Sequence, residues 1–157
     1  MSAFHLAQLN TARLRAPVDD PSIAEFVAGV ALMNALADRS PGFVWRLAEG
    51  ESGYDATFEV PGLPGTILTY SLWESVEDLR AYVYQSAHLD YLRRRRDWFV
   101  PHEHRESMVL WWTPAGRIPP VAEGLARLER LRAEGATPAA FTFRRLFPAP
   151  VLEPTVP

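Results

Sequence analysis

The chain has 157 residues with a formal net charge of −3, 48% hydrophobic and 22% charged residues, and no cysteine. This suits one domain with a sizeable core and excludes wholesale disorder. The mildly acidic total excludes a general attraction to nucleic acid or anionic lipid, and the missing cysteines exclude disulfides, zinc–thiolate sites, iron–sulfur clusters and thiol nucleophiles.

Phe4–Asn10 alternates as a strand that places Phe4, Leu6, Gln8 and Asn10 on one face. Asp20 before Pro21 is a helix start, an N-cap followed by proline at the first helical position. That helix runs to about Asp38 with Ile23, Val27 and Val30 toward a core, Asn34 in the same apolar register, and Ser40–Pro41–Gly42 ending it. Phe43–Leu47 reads as a strand with Phe43, Trp45 and Leu47 on one face. Glu49–Gly65 is a glycine- and proline-rich excursion with room for a short strand at Tyr54–Val60. Thr66–Trp73 is the next strand. Ser75, with Asp78 three residues on, has a capping-box spacing and opens a helix in which Leu79, Tyr82, Val83 and Ser86 recur at helical intervals. A further helical stretch, kinked near Ser86, carries Leu89, Leu92 and the arginines. Ser107–Thr113 is a strand, Pro119–Ala133 a helix with Val121, Leu125 and Leu128 on one stripe, and Ala140–Phe147 a short strand or packed extension.

This order predicts an α+β fold, a ferredoxin-like βαββαβ plait with a C-terminal helical extension. It is one domain over residues 1–147, followed by a proline-rich tail over 148–157. Leu110 and Trp112 alternate with Val109 and Trp111, so both faces of the last strand carry bulk and both need cover. The simplest cover is a second copy of the same sheet, which predicts a homodimer. No apolar run approaches the roughly 20 residues that span a bilayer. The N-terminal MSAFHLAQLN has no basic segment followed by an apolar one, so a cytoplasmic location is expected.

His88 is the leading candidate for chemistry, because a helix-borne imidazole can move a proton or bind iron; the plainer role is a hydrogen bond at the kink. Asn10 and Gln8 share a strand face with Leu6, where amides can hold a carbonyl or oxyanion or tie down a loop. Asn34 is a candidate for lining the same pocket. Trp45, Trp73, Trp111 and Tyr82 can stack on a flat ligand or simply pack the core. Tyr82 and Tyr84 lie on different sides of their helix, so one of them faces a cavity. His102–Glu103–His104 places two imidazoles on one side if extended, which reads as a solvated turn unless a third metal ligand comes from elsewhere. Arg93–Arg96 fan around a helix and read as a solvated face or an anion contact, with Asp90 and Asp97 at hand. No nucleophile elbow, phosphate loop or dinucleotide fingerprint is present.

LWESVEDLRAYVYQSAH is similar to the strand-to-helix signature W-x-S-x-x-x-(L/F)-x-x-(F/Y), followed by His, of the dimeric α/β-barrel superfamily typified by antibiotic-biosynthesis monooxygenases. Within it, LAQLNTARLRAP, LADRSPGFVWRL, RRRRDWF and LWWTPAG resemble the bacterial family of domain of unknown function 3291, over roughly Ala3–Phe147. The resemblance implies a cavity between sheet and helices in each protomer. It implies haem, with an Asn on the first strand and a Trp and His on the second helix, in the haem-degrading members. Asn10 and His88 match two of those positions, whereas tyrosine (Tyr82 or Tyr84) stands where they keep Trp. What the resemblance implies is a small-molecule, monooxygenase-like enzyme acting on a planar aromatic or haem-type ligand. His88, Asn10 and Tyr82 would be catalytic, with His88 the axial ligand if haem is bound. Gln8, Asn34, Trp73, Trp45 and Trp111 would contact substrate. The alternatives are a non-catalytic dimer binding haem or a small ligand, and a cofactor-free isomerase or dehydratase. Neither nucleic acid nor membrane is an expected partner.

Overall fold

The computed structural model describes residues 2–48, 58–60, 62–101 and 106–153. Its spine is strand β1 (Phe4–Arg13), which pairs antiparallel with β4 (Thr66–Trp73) on one side and β5 (Met108–Pro114) on the other. Strands β2 (Phe43–Arg46) and β3 (Phe58–Glu59) both pair antiparallel with β4, and the sheet order is β2-β4-β1-β5. The expected strand at Tyr54–Val60 is seen at Phe58–Glu59, and positions 54–57 lie outside the described residues.

The helix starts follow their capping chemistry. The Asp20 carboxylate accepts from the Ser22 amide at 2.8 Å, and a 3₁₀ turn at Pro21–Ile23 leads into helix α1 (Ala24–Asp38). The Ser75 hydroxyl accepts from the Asp78 amide at 3.1 Å and opens α2 (Val76–Gln85). Ser86 breaks the helix with extended backbone, and two short helices follow, α3 (His88–Arg93) and α4 (Arg95–Trp98). The kink predicted near Ser86 is therefore a full break, and His88 begins a new helix. Helix α5 (Val121–Glu134) returns across the sheet after β5.

The strands alternate into two faces with different cover. On one face Ala7, Leu9, Leu68, Tyr70, Leu72, Val109 and Trp111 form a single buried cluster with Leu128 and Leu131 of α5. Gly124 makes this approach close: a Cβ there would stand 2.7 Å from Leu9 Cδ1 and 3.0 Å from Trp111 Cη2. The sequence assigned the cover of this face to a second copy of the chain, but α5 of the same chain supplies it. The opposite face lies under α1, α2 and the segment around Phe141, which makes an antiparallel bridge to Leu110.

A register shift between Phe43 and Trp45 corrects a second expectation. An unbroken strand would put both rings on one face, whereas this irregularity sends them to opposite faces. Phe43 packs edge-on against Trp73 at 5.5 Å, and Trp45 packs edge-on against Tyr70 at 5.1 Å. No helix among the described residues is long and apolar enough to cross a membrane.

Candidate functional site

The helix side of the sheet carries two separate apolar clusters. Leu6, Trp73 and Leu110 pack with Ala37, Val76, Leu79 and Phe141 at one end. Leu14 and Ile67 pack with Ile23 and Trp98 at the other, joined by Ala12, Phe26 and Val27. Between them the inward positions are polar: Gln8 and Asn10 on β1, and Thr69 and Ser71 on β4. Asn10 lies directly across from Thr69, and Gln8 from Ser71. Thr69 is exposed although its strand has a neighbour on each side, while Asn10 and Ser71 are half-buried. An exposed threonine on the inward face of an interior strand means that the helix layer does not close over this strip.

Helix α1 bridges the two clusters. Val27 belongs with one and Ala37 with the other, and the helical repeat puts Val30 and Asn34 on the stripe between them. Its sequence is apolar nearly all round, yet Gly29 and Ala37 alone of its described residues are buried. A helix of that composition normally lies deep in a core. Here it is held above the sheet by polar ties: Arg46 of β2 forms a bidentate pair with Asp38 at 2.8 and 3.2 Å, and Tyr82 Oη donates to the Met33 carbonyl at 3.1 Å.

A chain of contacts runs into the strip from α3. The Nδ1 of His88 lies 3.3 Å from the Val83 carbonyl, which can accept only, so the ring proton sits on Nδ1 and Nε2 carries the lone pair. Burial pushes the His88 pKa below its usual value, partly offset by that carbonyl, and the ring is neutral at pH 7. The His88 backbone N–H donates to Ser86 Oγ at 3.1 Å, and Ser86 Oγ donates in turn to the Tyr82 carbonyl. The ring of Tyr82 lies 5.0 Å from His88 and stacks on Trp73 at 5.1 Å. Burial raises the Tyr82 phenol well above its usual pKa, so it acts as a neutral donor. Trp73 is fully buried and reaches the strip through Nε1 alone, which donates to Ser71 Oγ at 2.9 Å. Ser71 Oγ donates to Gln8 Oε1 at 2.9 Å, and Gln8 Nε2 reaches Thr69 Oγ1 at 3.5 Å.

The sequence candidates thus divide. His88, Tyr82, Trp73, Gln8, Asn10 and Asn34 are on the helix side, with Trp73 beneath the site and not lining it. Trp111 is buried in the cluster on the α5 side and Trp45 is half-buried against it, both around Tyr70 and on the face opposite the polar strip. Thr69, Ser71 and Arg46 went unnoticed. The signal for the first two was available, since Ile67, Thr69, Ser71 and Trp73 alternate with Leu68, Tyr70 and Leu72 along β4. His102, Glu103 and His104 lie outside the described residues, among which no group of three or more His, Asp or Glu is placed to hold a metal ion. Arg93 and Arg94 pair with Asp90, Glu25 and Asp97, and Arg95 and Arg96 are exposed. A surface recess of about 240 Å³ lined by Glu25, Asp90, Tyr91, Arg94 and Trp98 shares no residue with the strip.

The arrangement gives no support for haem. His88, Tyr82 and Trp73 pack ring on ring at 5.0 and 5.1 Å, which leaves no porphyrin-sized gap between them. The Arg46 guanidinium on this face is already committed to Asp38 and is not offered to a propionate.

Comparison with curated proteins gives no match. Among solved structures, SnoaB, a cofactor-independent oxygenase from Streptomyces nogalater, is 16% identical over 75% of this chain and 99% of that one, with a TM-score of 0.48. PA3566 from Pseudomonas aeruginosa is 12% identical over 76% of this chain and 98% of that one, with a TM-score of 0.49. NE2512, a protein of unknown function from Nitrosomonas europaea, is 13% identical over 75% and 97% of the two chains, with a TM-score of 0.45. Residues 5–155 match the family model described as Domain of unknown function (DUF3291), and the chain belongs to that family.

Proposed function

We propose that this chain is a small-molecule enzyme of a haem-free, monooxygenase-like kind that takes a planar aromatic ligand between α1 and the polar strip of the sheet. The observation that carries this reading is the break in the helix-side core, where Thr69 is exposed between Gln8, Asn10 and Ser71. Apolar walls around a few convergent polar groups are the usual make-up of a small-molecule site. Asn10 and Gln8 supply amide donors to an oxygen that gains charge. The neutral His88, with its lone pair on Nε2, has the protonation state required of a general base near pH 7. Tyr82 holds α1 in place and borders the site. In such chemistry an electron-rich substrate, once deprotonated, reduces oxygen itself, and the protein contributes orientation and dryness.

The homodimer expected from the sequence has lost its argument in the sheet, because α5 takes the place assigned to a partner. The reading therefore rests on a site assembled within one chain.

The test is oxygen uptake by purified protein across a panel of hydroxylated polycyclic aromatics. Uptake that falls about a hundredfold in His88→Phe, the usual scale for a general base, and also falls in Asn10→Leu, is the expected result. Binding of the panel without uptake by the native chain would reduce the function to ligand recognition.

A further inference from the structure

The hydrogen-bond directions beneath the site specify more than its position. Resting on the reading that the strip is a ligand floor, we infer that Trp73, Ser71 and Gln8 form a relay that fixes this floor as a hydrogen-bond donor. The site then selects flat ligands with a carbonyl or other acceptor oxygen over isosteres that present an N–H.

The relay starts from the residue with least freedom. An indole nitrogen can donate and cannot accept, and Trp73 is fully buried, so its proton must go to Ser71 Oγ at 2.9 Å. Ser71 therefore receives from one side and has one proton to give. Among the described residues its other side-chain partner is Gln8, also at 2.9 Å. If the amide presented nitrogen there, Ser71 would accept twice and its own proton would have no acceptor, an arrangement that folded proteins avoid. The Gln8 oxygen is therefore held against Ser71, and the amide nitrogen faces the Thr69 end of the strip.

That orientation has a chemical consequence. The Gln8 nitrogen carries two protons, and its contact with Thr69 Oγ1 at 3.5 Å is at the far limit of a hydrogen bond. Gln8 is 8% exposed, so bulk water does not satisfy it well, whereas Thr69 beside it is open. The Asn10 side-chain amide, across from Thr69, makes no hydrogen bond among the described residues and can turn toward whichever group a ligand presents. The fixed element is the Gln8 donor, and Trp73 acts through it as a positioning residue. A buried donor of this kind rewards an acceptor and is left unpaired by a ligand with an N–H in the same place.

Equilibrium dialysis of the full chain against three tricyclic probes of one outline tests this. They are 9-fluorenone with a carbonyl, carbazole with an N–H, and fluorene with neither. The native chain should bind fluorenone about tenfold tighter than carbazole, the scale of one buried hydrogen bond made or left unmade. Ser71→Ala and Trp73→Phe each free the amide to turn, and either should bring the two affinities within about threefold. Gln8→Glu presents only acceptors and should reverse the order. Equal binding of all three by the native chain overturns the inference while leaving the pocket in place. A tenfold preference that persists in both Ser71→Ala and Trp73→Phe overturns the relay. Binding of none of the three removes the ligand floor, and the inference with it.

Discussion

The same strands present two faces that follow opposite rules. On the α5 side Ala7, Leu9, Leu68, Tyr70, Leu72, Val109 and Trp111 are each no more than 5% exposed, and Gly124 lets the helix backbone press against Leu9 and Trp111. On the α1 side the apolar residues gather at the two ends, and the middle is given to Gln8, Asn10, Thr69 and Ser71. Closing that middle with valine or leucine would bury more apolar surface, at about 25 cal/mol per Å². The difference teaches that stability and openness have been assigned to different faces of one sheet, which is how a small domain keeps a site without losing its core.

The largest expected effect comes from the closed face. Trp111→Ala removes a fully buried indole stacked on Tyr70, and should destabilise the fold by about 3–5 kcal/mol in urea titration. A loss below about 1 kcal/mol would mean that α5 does not seal this face, and the comparison would fail. Gly124→Val tests the same contact from the helix. Its side chain has no room beside Leu9 and Trp111, and a cost of about 1–3 kcal/mol is expected despite the better helix propensity of valine.

The open face should respond differently. Thr69→Val keeps the shape and strand preference of the residue, so its effect on stability should stay within about 0.5 kcal/mol. Its effect on ligand affinity should be a loss, read in the same dialysis assay. A Thr69→Val chain that is strongly stabilised, with ligand affinity intact, would show that the strip is an unfilled part of the core.

Much of this was legible in the sequence because it rests on local chemistry. The Asp20–Pro21 and Ser75–Asp78 starts depend on side chains reaching their own backbone, and they formed as the spacing requires. The polar strip was half legible: Gln8 and Asn10 were recognised on β1, and the matching Thr69 and Ser71 on β4 were written in the same alternation. What the sequence could not supply was anything nonlocal. The fate of Trp45 turned on a register shift in β2, and the fate of Trp111 on where α5 comes to rest. Both rings looked like stacking surfaces, and on the α5 side Trp111 is buried and Trp45 is half-buried against the same cluster. His88 shows the same limit, since its pattern placed it within a helix and the break at Ser86 placed it at a helix start.

The last test concerns slope more than size. His88 is held neutral by burial, so its folded pKa lies below the ordinary value of 6.5. Above pH 6.5 neither the folded nor the unfolded chain is protonated there, and its contribution to stability is fully present. As pH falls through 6.5 the unfolded chain takes up a proton that the folded chain refuses, and stability is lost until the folded pKa is passed. His88→Phe keeps a ring against Tyr82 and removes the titration. Urea midpoints of the native chain should therefore drop more steeply between pH 7 and pH 5 than those of His88→Phe, a range set by the unperturbed imidazole. Parallel slopes would place His88 in solvent and remove the base on which the proposed site relies.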